Sequence, residues 1–174
     1  MKKFIILLRG INVSGKNKLP MAELRNLLES LKFQNVQTYI QSGNIILDSD
    51  KSKAAICEQI KEGIKTKFGY DIPIIAKTIS EWEKVINEYP FSKENEKIVA
   101  FCFLNKPTKE TKLDIKNIGK DEYKIANNVV YLNCGTGFGK TKLTNNTIEK
   151  KLNGIATTRN LRTTLKLLTL AKSE

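Results

Sequence analysis

Residues 133–146, NCGTGFGKTKLTNN, place three glycines, two lysines and a cysteine just ahead of an apolar stripe of helical period. Glycine lets a backbone approach a ligand closely, lysine adds charge, and the free N–H groups of a helix start favour an anion. The phosphate loop of nucleotide hydrolases requires G-x-x-x-x-G-K-[ST]. Counting back from Gly139, Lys140 and Thr141 puts Cys134 where the first glycine belongs. No acidic strand end is evident for a magnesium ion, so nucleotide hydrolysis is not supported.

Read as Cys134, five residues, Lys140 and Thr141, the same stretch resembles the cysteine phosphatase loop with lysine in place of arginine. A thiolate beside a helix start and a cation would have a lowered pKa. Lysine lacks the bidentate fork that holds a phosphoryl group, and no acid for the leaving group is identifiable. Cys134 therefore stands as the one candidate nucleophile, in an enzyme acting on a phosphorylated substrate. Against it stands the plainer reading of a glycine turn with a buried cysteine at a strand end. The chain has no histidine, which removes the commonest general base and metal ligand. Cys57, Cys102 and Cys134 are odd in number and far apart, unlike a disulfide framework or a zinc knuckle. Neither a metal nor a cofactor is expected.

The net charge of +12 over 174 residues is unevenly placed. Residues 1–35 carry seven Lys/Arg against two Glu, and residues 135–174 carry eight against two. The stretch between is nearly balanced. Basic segments at both ends suit a phosphate-bearing partner, either nucleic acid or a phosphorylated small molecule such as a nucleotide. One competing explanation is compositional, since lysines outnumber arginines twenty-six to four; another is a protein-interaction module, in which doubly apolar strands and basic ends serve a protein partner. The opening MKKFIILLRG breaks its apolar run at Arg9 without a small-residue cleavage site, so it reads as a strand and not as a leader. No apolar stretch nears the ~20 residues of a membrane-spanning helix. A cytoplasmic protein without a membrane partner is the expectation.

The order of elements predicts two α+β units. FIILLRG is a strand; a helix follows Pro20 with Met21, Leu24, Leu27, Leu28 and Leu31 as its stripe; VQTYIQSGNIILDS is a hairpin turning at Ser42–Gly43. A second helix bears Ile56, Ile60, Ile64 and Phe68, and IPIIAKT is a fourth strand. This is βαββαβ, the ferredoxin-like plait, over residues 1–79. After a connecting helix and linker, 80–96, the region 97–174 repeats it. The strand KIVAFCFLN comes first, then a short helix near 107–117, the hairpin DEYKIANNVVYLNC, a helix capped by Thr144, the strand IATTR and a final helix with Leu161, Leu165 and Leu168 inward. Tyr39, Asn44 and Ile45 align with Tyr123, Asn128 and Val129 at a constant offset, which suggests internal duplication. Phe101, Phe103 and Tyr131 offer a base-stacking platform only if they are exposed; strands apolar on both faces make core the better reading.

In such a unit the first two strands run the same way, so the first βα loop and the hairpin turn share a sheet edge. That gathers Arg9, Asn12, Lys16 and Lys18 beside Ser42 and Asn44. In the second unit the same reasoning sets Gly135, Gly137, Gly139, Lys140, Thr141 and Lys142 near Arg159 and Asn160. Both clusters precede helix starts and are candidate anion-binding sites, although Gly, Asn, Ser and Thr also suit turns and caps.

The segments LLRGINVSGKNKLPMAELR, TYIQSGN, TKLTN and ATTRN resemble the bacterial family known as domain of unknown function 1697. The resemblance implies paired ferredoxin-like plaits and carries no established activity. Ser14 stands where that family usually has a second glycine, Lys140-Thr141 where it has Arg-Ser, and Leu161 where it has tryptophan.

Overall fold

A computed structural model describes residues 1–173. The chain is α+β and divides into two compact units, Met1–Lys84 together with the C-terminal stretch from Leu167, and Val85–Lys166. Their boundaries fall inside two helices.

The first unit contains β1 (Lys2–Leu8), α1 (Met21–Ser30), β2 (Gln34–Tyr39), β3 (Asn44–Ser49), α2 (Lys53–Phe68), β4 (Ile74–Thr78) and the start of α3 (Ile79–Asn87). Its four strands form one antiparallel sheet in the order β2-β3-β1-β4. Alternation along β1 sends Phe4, Ile6 and Leu8 into a core with Leu24, Leu28, Ile56, Ile60 and Ile64, the stripes of α1 and α2. Ile5 and Leu7, pointing the other way, are equally buried. Pro20 occupies the position just before α1, extended and without a side-chain capping bond. Ser52 caps α2 by accepting from Ala55 N at 3.3 Å, and Gly69 ends that helix in the left-handed region at φ 76.

The second unit contains the rest of α3, β5 (Val99–Leu104), β6 (Asp121–Ala126), β7 (Val129–Cys134), α4 (Asn145–Leu152), β8 (Ala156–Asn160) and the first part of α5 (Leu161–Lys172). Its sheet repeats the permuted order as β6-β7-β5-β8. One face buries Ala100, Cys102, Val130, Leu132 and Cys134 with Ile148 of α4. The opposite face carries Phe101, Phe103 and Tyr131, each at most 1% exposed. Phe101 packs tilted and Tyr131 edge-on with Tyr89, whose hydroxyl donates to Leu132 O at 2.8 Å, and Phe103 stacks on Phe101. They are core, and no base can stack on them.

Three expectations need correction. No helix forms near 107–117; residues 105–120 are irregular. Pro107 opens this segment, and Asp114, Asn117 and Gly119 hold φ of 46, 57 and 65, values that interrupt any helix. Leu113 nevertheless does the missing helix's work: it is 1% exposed in the core, and its N–H donates to the Tyr123 hydroxyl at 2.9 Å.

The constant offset between hairpins also fails. Leu8 N donates to Gly43 O and Leu104 N to Asn128 O, so Asn44 corresponds to Val129 and not to Asn128. Tyr39 pairs with Asn44 while Ala126 pairs with Val129, because the first hairpin closes over residues 40–43 and the second over 127–128 alone. On α5, finally, Leu165 is 40% exposed, and the buried line runs through Leu161, Thr164, Leu167 and Ala171.

Leu113→Ala should destabilise the protein by roughly 2–4 kcal/mol, the range for emptying a packed leucine site. Urea unfolding measures this, and a cost near zero would show that the 105–120 segment does not close the core.

Candidate anion-binding loops

At the first unit's edge, the loop of residues 9–20 is organised by asparagines. Asn12, itself at φ 52, donates through Nδ2 to Leu19 O at 3.0 Å and to Gln41 O at 2.9 Å, while its Oδ1 accepts from Leu19 N at 2.8 Å. Asn17 donates to Gly10 O at 2.9 Å. Between them Val13 and Lys16 form a bridge across Ser14 and Gly15, whose φ values of 50 and 74 make a turn of the kind that favours glycine at both central positions. Ser14 is the less suited occupant.

The hairpin turn joins this frame as the sheet topology requires. Asn44, 0% exposed, donates to Tyr39 O at 3.0 Å and Ser42 Oγ at 2.9 Å. Gly43, at φ 80, lies so close to β1 that an added Cβ would sit 2.6 Å from that of Leu8. Asn12, Ser42 and Asn44 are therefore the frame. Lys16 and Lys18 are exposed, and Arg9 is half-buried at the loop's root. Neither loop contains an acidic residue.

The second unit's glycine loop already holds an anion of its own. Asp121, 4% exposed, accepts from Thr136 N at 2.8 Å and Thr136 Oγ1 at 2.6 Å on one oxygen, and from Thr141 Oγ1 at 2.6 Å on the other. Burial pushes this carboxyl's pKa up, but the hydrogen bonds from Thr136 and Thr141 outweigh it and leave the pKa below the ordinary value. Gly135 is required because a Cβ there would lie 2.5 Å from Lys120 O. Thr141 is thus occupied, and Lys140 and Lys142 project outward, Lys142 Nζ reaching Lys116 O at 3.3 Å. The sequence signal for Asp121 was available: an acid at the start of the strand paired with the one that feeds the loop.

Arg159 and Asn160 do not complete this cluster. β7 and β8 do end at the same edge, but Arg159 pairs with Phe101 and so points to the face opposite Cys134, where its guanidinium donates to Thr157 Oγ1 at 2.9 Å. Asn160 Oδ1 accepts from Thr163 N at 2.9 Å, capping α5. Cys134 is 0% exposed. Burial, with the Asp121 charge adding to it against a Thr141 hydrogen bond, pushes its pKa up to about 11. That is the reverse of an activated thiolate.

One basic region escaped the sequence reading. At the opposite edge of the first sheet, a hollow of about 410 Å³ is lined by Lys2, Asp50, Lys51, Ser52 and Lys53 among others. Two of its lysines have internal partners: Lys51 bonds Gln59 and Lys53 bonds Glu81. Among the described residues no group of His, Cys, Asp and Glu is placed to hold a metal ion, and no helix is long and apolar enough to cross a membrane.

Residues 1–131 match the model of a family described as a protein of unknown function, DUF1697. The first unit's loops lie inside the matched region and the glycine loop outside it. No curated protein matches the chain. Among solved structures, the conserved bacterial protein SP0830 from Streptococcus pneumoniae is similar over 99% of this chain and 99% of its own, with a TM-score of 0.75 at 23% identity. This likeness concerns the fold.

Two outcomes test the loop assignments. Asp121→Asn should cost about 1–3 kcal/mol at neutral pH by leaving buried donors mismatched. Because the native carboxyl titrates below its unfolded value, its contribution is complete above about pH 4 and fades as acid protonates it, so the gap between variant and parent should close on acidification. Cys134 should resist a thiol reagent in the native protein and react on unfolding; labelling at the rate of a free thiol would refute its burial.

Proposed function

We propose that this chain, which belongs to the DUF1697 family of proteins of unknown function, is a non-catalytic binder of a phosphate-bearing ligand, and that the ligand is nucleic acid held at the first unit's loop edge. The observation that carries this reading is the pairing of two exposed lysines and a half-buried arginine with loops free of acidic residues, on a frame fixed by Asn12, Asn17 and Asn44. The glycine loop at 135–142, by contrast, is already engaged by Asp121. Two exposed lysines on an open loop suit a polyanion better than a single nucleotide, for which a closed pocket would be needed.

We further infer that both units are ferredoxin-like plaits from one duplicated ancestor. The shared permutation, β2-β3-β1-β4 and β6-β7-β5-β8, supports this; the irregular 105–120 segment would then replace the first crossover helix of the second copy. All three cysteines are free, which suits a reducing cytoplasm.

Binding of a fluorescently labelled oligonucleotide, followed by anisotropy between about 50 and 200 mM salt, tests the function. Replacing Lys16 and Lys18 together by alanine should flatten the logarithmic salt dependence by about 1.8, the loss of two phosphate contacts. An unchanged slope, or no binding at low salt, refutes the reading.

A further inference from the structure

Two of the few large apolar side chains left exposed lie at the edge just described: Val13 is 59% exposed and Ile40 48%. They come from separate loops, and the Asn12–Gln41 hydrogen bond of 2.9 Å holds their chain neighbours together. Ile40 sits in the hairpin turn at φ 50. A β-branched residue is poorly tolerated in that region, where glycine or asparagine would relax the backbone. A strained aliphatic kept in solvent points to a contact that the isolated chain does not make.

We propose that this edge is a wedge for double-stranded DNA, Ile40 and Val13 entering a base step while Lys16 and Lys18 hold the flanking phosphates. The inference rests on the phosphate-binding reading above and specifies its partner. Aliphatic side chains lack the π-face on which single-stranded bases stack, but they fit between base pairs that have been partly opened. A cationic rim without acids, around an apolar tip, is what a kinked duplex requires: neutralised phosphates on either side of an apolar insert. A second copy of this chain is a poor occupant, because the same lysines would face one another.

The test uses the full chain and a DNA duplex of about 20 base pairs carrying 2-aminopurine at its centre and a fluorophore at each end. Binding should raise the 2-aminopurine signal and bring the ends closer. Ile40→Gly should abolish both changes and weaken duplex affinity about tenfold while leaving the salt slope intact. Its melting temperature should hold or rise, since glycine accepts the left-handed turn, so lost binding cannot be ascribed to unfolding. Val13→Ser should act in the same direction. Duplex binding that neither unstacks the probe nor responds to Ile40→Gly overturns the wedge and leaves phosphate binding standing. Tighter binding to single-stranded DNA or to an RNA duplex also overturns it, and no binding to any of them at low salt removes the underlying reading as well.

Discussion

Asn12 carries the organisation of the first unit's loop edge. Its side chain has three hydrogen-bonding commitments, two carbonyls and one N–H, and all three are to backbone. They tie the root of the 9–20 loop to the residue that leads into α1 and to the turn between β2 and β3. A loop rich in Gly, Asn and Ser would otherwise lose its geometry to conformational entropy. Fixing it holds in place the backbone positions from which Arg9, Lys16 and Lys18 extend.

The second unit treats a similar composition differently. Its glycine loop folds around the carboxylate of Asp121, supplied by the neighbouring edge strand, so that Thr136 and Thr141 satisfy an internal charge. The features that suggest a phosphate cradle, close backbone approach and hydroxyl donors at a turn, are those that any buried anion demands. Gly135 serves a contact with Lys120 O, and Cys134 fills core. A phosphate-loop pattern whose anion comes from the same chain is a local solution to burial, with no ligand implied.

The likeness to the pneumococcal protein at 23% identity shows that the arrangement survives extensive substitution. That tolerance has a physical basis. The permuted sheet order demands apolar alternation on both faces of the central strands and little else, and many combinations of Ile, Leu, Val and Phe satisfy it.

By itself the sequence determined the α+β class, the strand order of the first unit, the stripes of α1 and α2, and the meeting of the first loop with the hairpin turn, because periodicity and strand direction are local or follow from topology. It also favoured the interior for Phe101, Phe103 and Tyr131, since their strands are apolar on both faces. What only the tertiary structure decided depended on partners distant in the chain. The segment at 105–120 has enough apolar residues for a helix, but its irregular backbone is dictated by where Leu113 must reach Tyr123. Arg159 lies at the expected edge and on the unexpected face, because one residue of strand register selects the side. Asp121 looked like a strand start until the fold brought it against Thr136 and Thr141. Val13 and Ile40, separate and unremarked in the sequence, come from loops that the fold ties together through the Asn12–Gln41 hydrogen bond.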